Sequence, residues 1–144
     1  MKQVLFLCTA NYYRSRFAGH LFNGLALEAH LEWRADSRGL EAENWSNIGP
    51  ISRYAAGGLT LRGVPINGDH RLPKQVVLAD LANADLVVAV KQAEDRAMIA
   101  AEFPLWTDIV EYWHIDDLDC AGPEEALPLL EEQVRGLVTR LQGL

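Results

Sequence analysis

The stretch VLFLCTANYYRS, Val4–Ser15, decides how the rest of the chain is read. Its first half, with the preceding glutamine, is an apolar run of strand formers, Gln3–Cys8. Ser15–His30 then places Phe17, Leu21 and Leu25 at helical spacing, with Ala18 and Phe22 beside them. A buried strand therefore runs through a short loop into a helix. Cys8 closes the strand and Arg14 stands at the helix start.

Outward from this unit the pattern repeats. Leu31–Asp36 and Asp108–His114 alternate apolar and polar residues as half-exposed strands do, and Asp85–Lys91 is apolar enough to be a buried strand. Helical spacing is expected over Ile51–Arg62, over Leu72–Ala84 with Pro73 in its first turn, and over Ala93–Phe103, which Pro104 stops. A last helix from Pro123 puts Leu127, Leu130, Val134, Leu137, Val138 and Leu141 on one face. Alternating strands and helices imply an α/β fold, a four-stranded parallel sheet between two helical layers. Ligands of such sheets bind beyond the carboxyl ends of the strands, where Cys8 lies.

The chain of 144 residues suits one domain, residues 1–144. Its net charge of −7 argues against a nucleic-acid surface. The sequence has no signal-peptide pattern and no apolar run of the roughly 18 residues that a membrane span needs, so no membrane partner is expected and a cytoplasmic location is. Cys8 and Cys120 are too few and too far apart for a disulfide framework.

Where a strand turns into a helix, unpaired backbone N–H groups collect and attract anions. This loop lacks both the glycines of a dinucleotide fingerprint and the Gly-Lys-Ser/Thr ending of a nucleotide-phosphate loop. It offers instead a thiol at one lip and a guanidinium at the other. The helix N-terminus and Arg14 favour a thiolate, and a planar guanidinium grips two oxygens of a tetrahedral oxyanion. Cys8 is thus a candidate nucleophile beneath a bound phosphate held by Arg14 and the backbone of Thr9, Ala10, Asn11, Tyr12, Tyr13, Arg14 and Ser15. The Ser15 hydroxyl is placed to donate to the Cys8 sulfur.

Cys-x5-Arg-Ser directly after the first strand resembles the low-molecular-weight protein tyrosine phosphatases and their arsenate-reductase relatives. ADSRG (Ala35–Gly39), GVPINGDHRLPKQV (Gly63–Val76) and NADLVVAVKQAEDRAM (Asn83–Met98) extend the likeness over nearly the whole chain. The resemblance implies the flavodoxin-like fold of that family, with strand order 2-1-3-4. It also implies that Asn11 holds the loop in an anion-binding shape, buttressed by Ser15, Ser37 and His70. The general acid implied by EYWHIDDLDCAGPEE (Glu111–Glu125) is Asp117, with Asp116 and Asp119 close enough to compete. The implied activity is phosphomonoester hydrolysis through a phosphocysteine, without cofactor or metal. The implied substrate is a phosphotyrosine protein or small aryl phosphate, with inorganic phosphate and other oxyanions as inhibitors. Tyr12 and Trp45 are candidates for an aromatic substrate wall.

The chain departs from the family's pattern at several points. Ala10 replaces a glycine; Arg16 replaces a proline and either faces solvent or recruits a second anion; Leu118 replaces the proline after the acid. Tyr13 takes the place of a second loop cysteine that shields the nucleophile as a disulfide. Cys120 is either inert or an alternative partner for Cys8. The relay cysteines of thioredoxin-coupled arsenate reductases are absent. Two further readings stay open beside the phosphatase: an arsenate reductase-like enzyme using an external thiol, and a non-catalytic phosphate- or phosphoprotein-binding module.

Overall fold

The computed structural model describes residues 1–44, 47–64, 66, 71–118 and 120–143. The sheet contains β1 (Lys2–Cys8), β2 (Trp33–Gly39), β3 (Leu86–Ala89) and β4 (Glu111–Tyr112), all parallel, in the order β2-β1-β3-β4. The helices are α1 (Arg14–Glu28), α2 (Arg53–Leu61), α3 (Leu78–Asn83), α4 (Gln92–Glu102) and α5 (Pro123–Gln142).

Side chains alternate across a strand, so the unbroken apolar run of β1 feeds two cores. Val4 and Phe6 join Phe17, Leu21 and Phe22 of α1 and Leu130, Val134 and Leu137 of α5 on one face. Leu5 and Leu7 meet Leu81 of α3, Ile99 of α4 and Val110 on the other. The six α5 residues read as one apolar face are all buried. Phe6 anchors the first core, with the rings of Phe22 at 6.1 Å and Trp113 at 5.7 Å. In α2, a Cβ on Gly58 would lie 2.6 Å from Leu127 Cδ1, so the glycine that weakens the helix also lets it approach α5.

Three boundaries differ by three residues or more from those read in the sequence, two because distant groups claim the backbone and one because a local turn does. The second strand runs to Gly39 rather than Asp36, since β1 pairs with it throughout, from Lys2↔Trp33 to Cys8↔Gly39. Its polar end stays buried because Arg38 pairs with Asp36 at 2.9 Å and Asp80 at 3.2 Å. The helix expected from Leu72 begins only at Leu78. The segment before it is extended: Gly39 N donates to Lys74 O at 2.8 Å and Val76 N to Gly39 O at 2.9 Å, with Pro73 in that segment rather than in a helical turn. The last strand shrinks to Glu111–Tyr112 because Ile109 N and Val110 N both turn back to Trp106 O at 3.0 Å.

Candidate active site

Cys8 ends β1 at the carboxyl edge of the sheet and is 2 % exposed. The loop after it lies against the end of β2: Leu40 N donates to Cys8 O and Glu41 N to Thr9 O, both at 2.9 Å. Gly39 makes that approach possible, since a Cβ there would sit 2.9 Å from Thr9 O. Across the loop, Ser52 N donates to Tyr12 O at 2.9 Å.

Asn11 is fully buried with φ at +54°, a left-handed conformation that asparagine tolerates better than most residues. Its amide has four hydrogen-bonding positions and all four are used. Nδ2 donates to Ser15 Oγ and Ser37 Oγ, both at 2.9 Å. Oδ1 accepts from Arg71 Nη1 at 3.1 Å and Lys74 N at 3.0 Å. Ser15 Oγ accepts from Asn11 and lies 2.9 Å from Cys8 Sγ, within reach to donate its hydrogen to a thiolate there. Arg71 also donates to Ser37 Oγ at 3.1 Å. Sequence reasoning missed Arg71 as a loop support, although it stands in the stretch that carries the family likeness; His70, the residue chosen there, lies outside the described residues, as do Trp45 and Asp119.

Arg14 is 2 % exposed. Nη1 donates to Ile115 O at 2.9 Å and Glu94 Oε1 at 3.2 Å, and Nη2 donates to Asp117 Oδ2 at 3.3 Å. Burial opposes its charge, but the fields of Cys8, Asp117 and Glu94 outweigh that and hold its pKa above the ordinary value. Glu94, in the first turn of α4, had no signal in the sequence beyond being an acid at a helix start. Beside it Asp95 is fully buried; Oδ2 accepts from Lys91 N at 2.9 Å, and Oδ1 has no hydrogen-bond partner among the described residues. Burial pushes its carboxyl up to about 7 against the pull of that bond and of Arg14.

Of the competing acids, Asp117 faces Arg14 and lines the pocket, whereas Asp116 is ion-paired with Lys91. Arg16 does not face solvent: it is buried, and its guanidinium donates to Asn11 O at 3.5 Å, Pro50 O at 3.0 Å and Arg71 O at 3.0 Å. It ties three segments together where a proline would tie none. Tyr13 is buried with no hydrogen-bond partner for its hydroxyl among the described residues, and burial, then the Asp117 charge, pushes its pKa up to about 12. Cys8 and Cys120 form no disulfide, and Cys120 is exposed and off the pocket lining.

The pocket over Cys8 has a volume of about 320 Å³. Cys8, Thr9, Ala10, Tyr12, Tyr13 and Arg14 form its floor and near wall; Asn47, Glu94, Asp117 and Leu118 face them. Tyr12 is steadied by a hydrogen bond from its hydroxyl to Ile48 O. A larger cavity, about 520 Å³, opens at the amino end of the sheet beside His20, Asn23 and Trp33 and contains neither cysteine.

A profile of the family described as low molecular weight phosphotyrosine protein phosphatase matches residues 3–143. No curated protein matches the chain. Among solved structures, a low molecular weight protein tyrosine phosphatase from T. tengcongensis is 27 % identical, with a TM-score of 0.79 over 99 % of each chain. YfkJ from Bacillus subtilis is 25 % identical, with a TM-score of 0.85 over 99 % of this chain and 96 % of that one. The YwlE arginine phosphatase from Geobacillus stearothermophilus shares the fold at 22 % identity, with a TM-score of 0.78 over 99 % and 94 %.

Proposed function

The chain belongs to the low-molecular-weight phosphotyrosine protein phosphatase family, whose members are cysteine-based phosphatases, and we propose that Cys8, Arg14 and Asp117 carry its chemistry on phosphotyrosine. One observation carries the reading: a buried sulfur in hydrogen-bond contact with Ser15 lies on the floor of a pocket whose wall holds a buried arginine and a half-exposed aspartate. Residues 1–144 act as one domain in this reading, consistent with a family match over nearly their full length.

Cys8 thiolate attacks phosphorus in line, forming an S–P bond as the ester P–O bond breaks. Asp117 gives its proton to the leaving oxygen, a contribution of typically ~10²–10⁴-fold. Water then attacks the phosphocysteine, with Asp117 taking a proton, and the S–P bond breaks to return the thiolate. Arg14 and the loop N–H groups from Thr9 to Ser15 hold the equatorial oxygens through both steps. Ser15 Oγ, 2.9 Å from the sulfur, donates its hydrogen to the leaving thiolate and steadies it in this reading.

The aromatic face of Tyr12 and the exposed side chain of Leu118 on the pocket lining favour an aryl phosphate over phosphoserine. Inorganic phosphate and other oxyanions are competitive inhibitors in this reading, and the proposed compartment is the cytoplasm, in keeping with two unbridged cysteines. Among the described residues, no helix is long and apolar enough to cross a membrane.

The test is hydrolysis of p-nitrophenyl phosphate from about pH 5 to 8 by the wild type, Cys8→Ser and Asp117→Asn, followed by a panel of phosphotyrosine, phosphoserine and phosphoarginine substrates. The first variant is expected to be inactive and the second to lose roughly a hundredfold or more in kcat. Turnover surviving in Cys8→Ser overturns the mechanism. A preference for phosphoarginine overturns the substrate class. Arsenate-dependent thiol oxidation, without phosphate release, replaces the phosphatase with the reductase reading.

A further inference from the structure

We propose that Glu94 is a positioning residue that aims Arg14 at the bound oxyanion. The inference rests on the oxyanion role proposed for the Cys8 loop and goes beyond it in assigning work to a residue on another element. A guanidinium has five N–H donors in a rigid plane. Ile115 O and Glu94 Oε1 take the two hydrogens of Arg14 Nη1, and Asp117 Oδ2 takes one from Nη2. The remaining donors, Nε–H and the second Nη2 hydrogen, have no hydrogen-bond partner among the described residues. Nε and Nη2 share one edge of the guanidinium plane, and two N–H groups along one edge grip two oxygens of a tetrahedral anion.

Glu94, bonded to Nη1, therefore sits off the Nε–Nη2 edge that a phosphate needs. A carboxylate competing with phosphate would occupy the fork itself. From Nη1, Glu94 and Ile115 O together fix the rotation of the guanidinium plane, which a single acceptor does not. Glu94 is itself held in place by the start of α4, where Gln92 N donates to Trp113 O at 2.9 Å and Asp95 Oδ2 accepts from Lys91 N at 2.9 Å. The aim of Arg14 is thus referred to two pieces of the sheet's carboxyl edge, the β3–α4 turn and the segment after β4.

Orientation and charge predict opposite signs, which makes the idea testable. Calorimetric binding of inorganic phosphate would be compared for the wild type, Glu94→Ala and Glu94→Gln, with thermal midpoints of the unliganded proteins as a control. Alanine removes the acceptor, and phosphate affinity is expected to fall about tenfold, the worth of one charge-assisted hydrogen bond in aim. Glutamine keeps an oxygen acceptor and removes a negative charge, so its affinity is expected to equal or exceed that of the wild type. Unliganded midpoints are expected to agree within about 2 °C, because Glu94 is half-exposed. Tighter binding by Glu94→Ala identifies a competitor and overturns the proposal. So does an equal loss in both variants, or no change in either. A wild type that binds no phosphate overturns the oxyanion role of the loop and this inference with it, whereas a wild type that binds phosphate beside a flat variant series removes only the role of Glu94.

Discussion

On the pocket side of the Cys8–Ser15 loop, Arg14 keeps two donors without a hydrogen-bond partner among the described residues, and Asp117 is half-exposed. On the rear side, every hydrogen-bonding position of Asn11 is taken by Ser15, Ser37, Arg71 and Lys74. The same few residues of backbone separate the two arrangements. The front is under-bonded and open; the rear is fully bonded and closed. A loop that must offer its N–H groups inward to an anion cannot use them to hold its own shape, so side chains behind it do that work. The difference separates two kinds of damage: changes in front remove chemistry from a folded protein, and changes behind loosen the protein as well.

The sharpest division is expected at Arg14→Lys. Lysine keeps the charge but loses the planar fork, and kcat/KM for p-nitrophenyl phosphate is expected to fall by roughly 10²–10³ with the circular dichroism spectrum unchanged. A loss of helix signal would erase the distinction between the two faces.

Asn11→Ala is expected to show the mixed phenotype of the rear. It strands donors on Arg71 and Lys74 and places alanine at a left-handed position, so urea denaturation is expected to show about 1–3 kcal/mol of lost stability. Activity is expected to fall about tenfold or more, and saturating phosphate to restore part of the thermal midpoint. Lost activity at full stability would move Asn11 to the front.

Asp95→Asn is expected to have the smallest effect on turnover and to act through pH. The folded carboxyl titrates at about 7, above its unfolded value, so the native state holds the proton longer. Stability contributed by the neutral form is present at low pH and is lost as pH rises from about 4 to 7. Asparagine keeps an oxygen for Lys91 N and removes the buried charge. The variant is expected to gain roughly 4 kcal/mol on the wild type between pH 4 and pH 8 in urea titrations. Parallel pH profiles for both proteins would show that Asp95 does not titrate in this range.

Much of the front was legible in the sequence because it is local. Cys8, Arg14 and Ser15 sit within one strand–loop–helix unit, and their spacing alone describes an oxyanion cradle. The sheet was legible for a similar reason: buried parallel strands announce themselves as apolar runs. What escaped was set by partners distant in the chain. Arg16 carries a charge that reads as solvent-facing, and its burial is explained by partners outside the local sequence pattern, the carbonyls of Pro50 and Arg71 among them. The segment before α3 has helical spacing, but Gly39 recruits it as extended chain. Glu94 resembles any first-turn acid until Arg14 is placed against it. Asp117 was preferred on family likeness, and its separation from Asp116 rests on which of two neighbouring side chains meets Arg14 and which meets Lys91.

The bonds that shape this site close loops of unusual length. Asn11 reaches Arg71 and Lys74 across 60 and 63 residues, and Arg14 reaches Ile115 and Asp117 across 101 and 103. A nascent chain that has passed Ser15 already contains the sulfur and the guanidinium, yet nothing orients them. Contacts so distant form late, after their loop-closure entropy has been met by the collapsing cores. Catalytic competence is therefore a property of the completed topology. During synthesis or refolding the helices precede it, and the first turnover marks the moment at which the last third of the chain has docked.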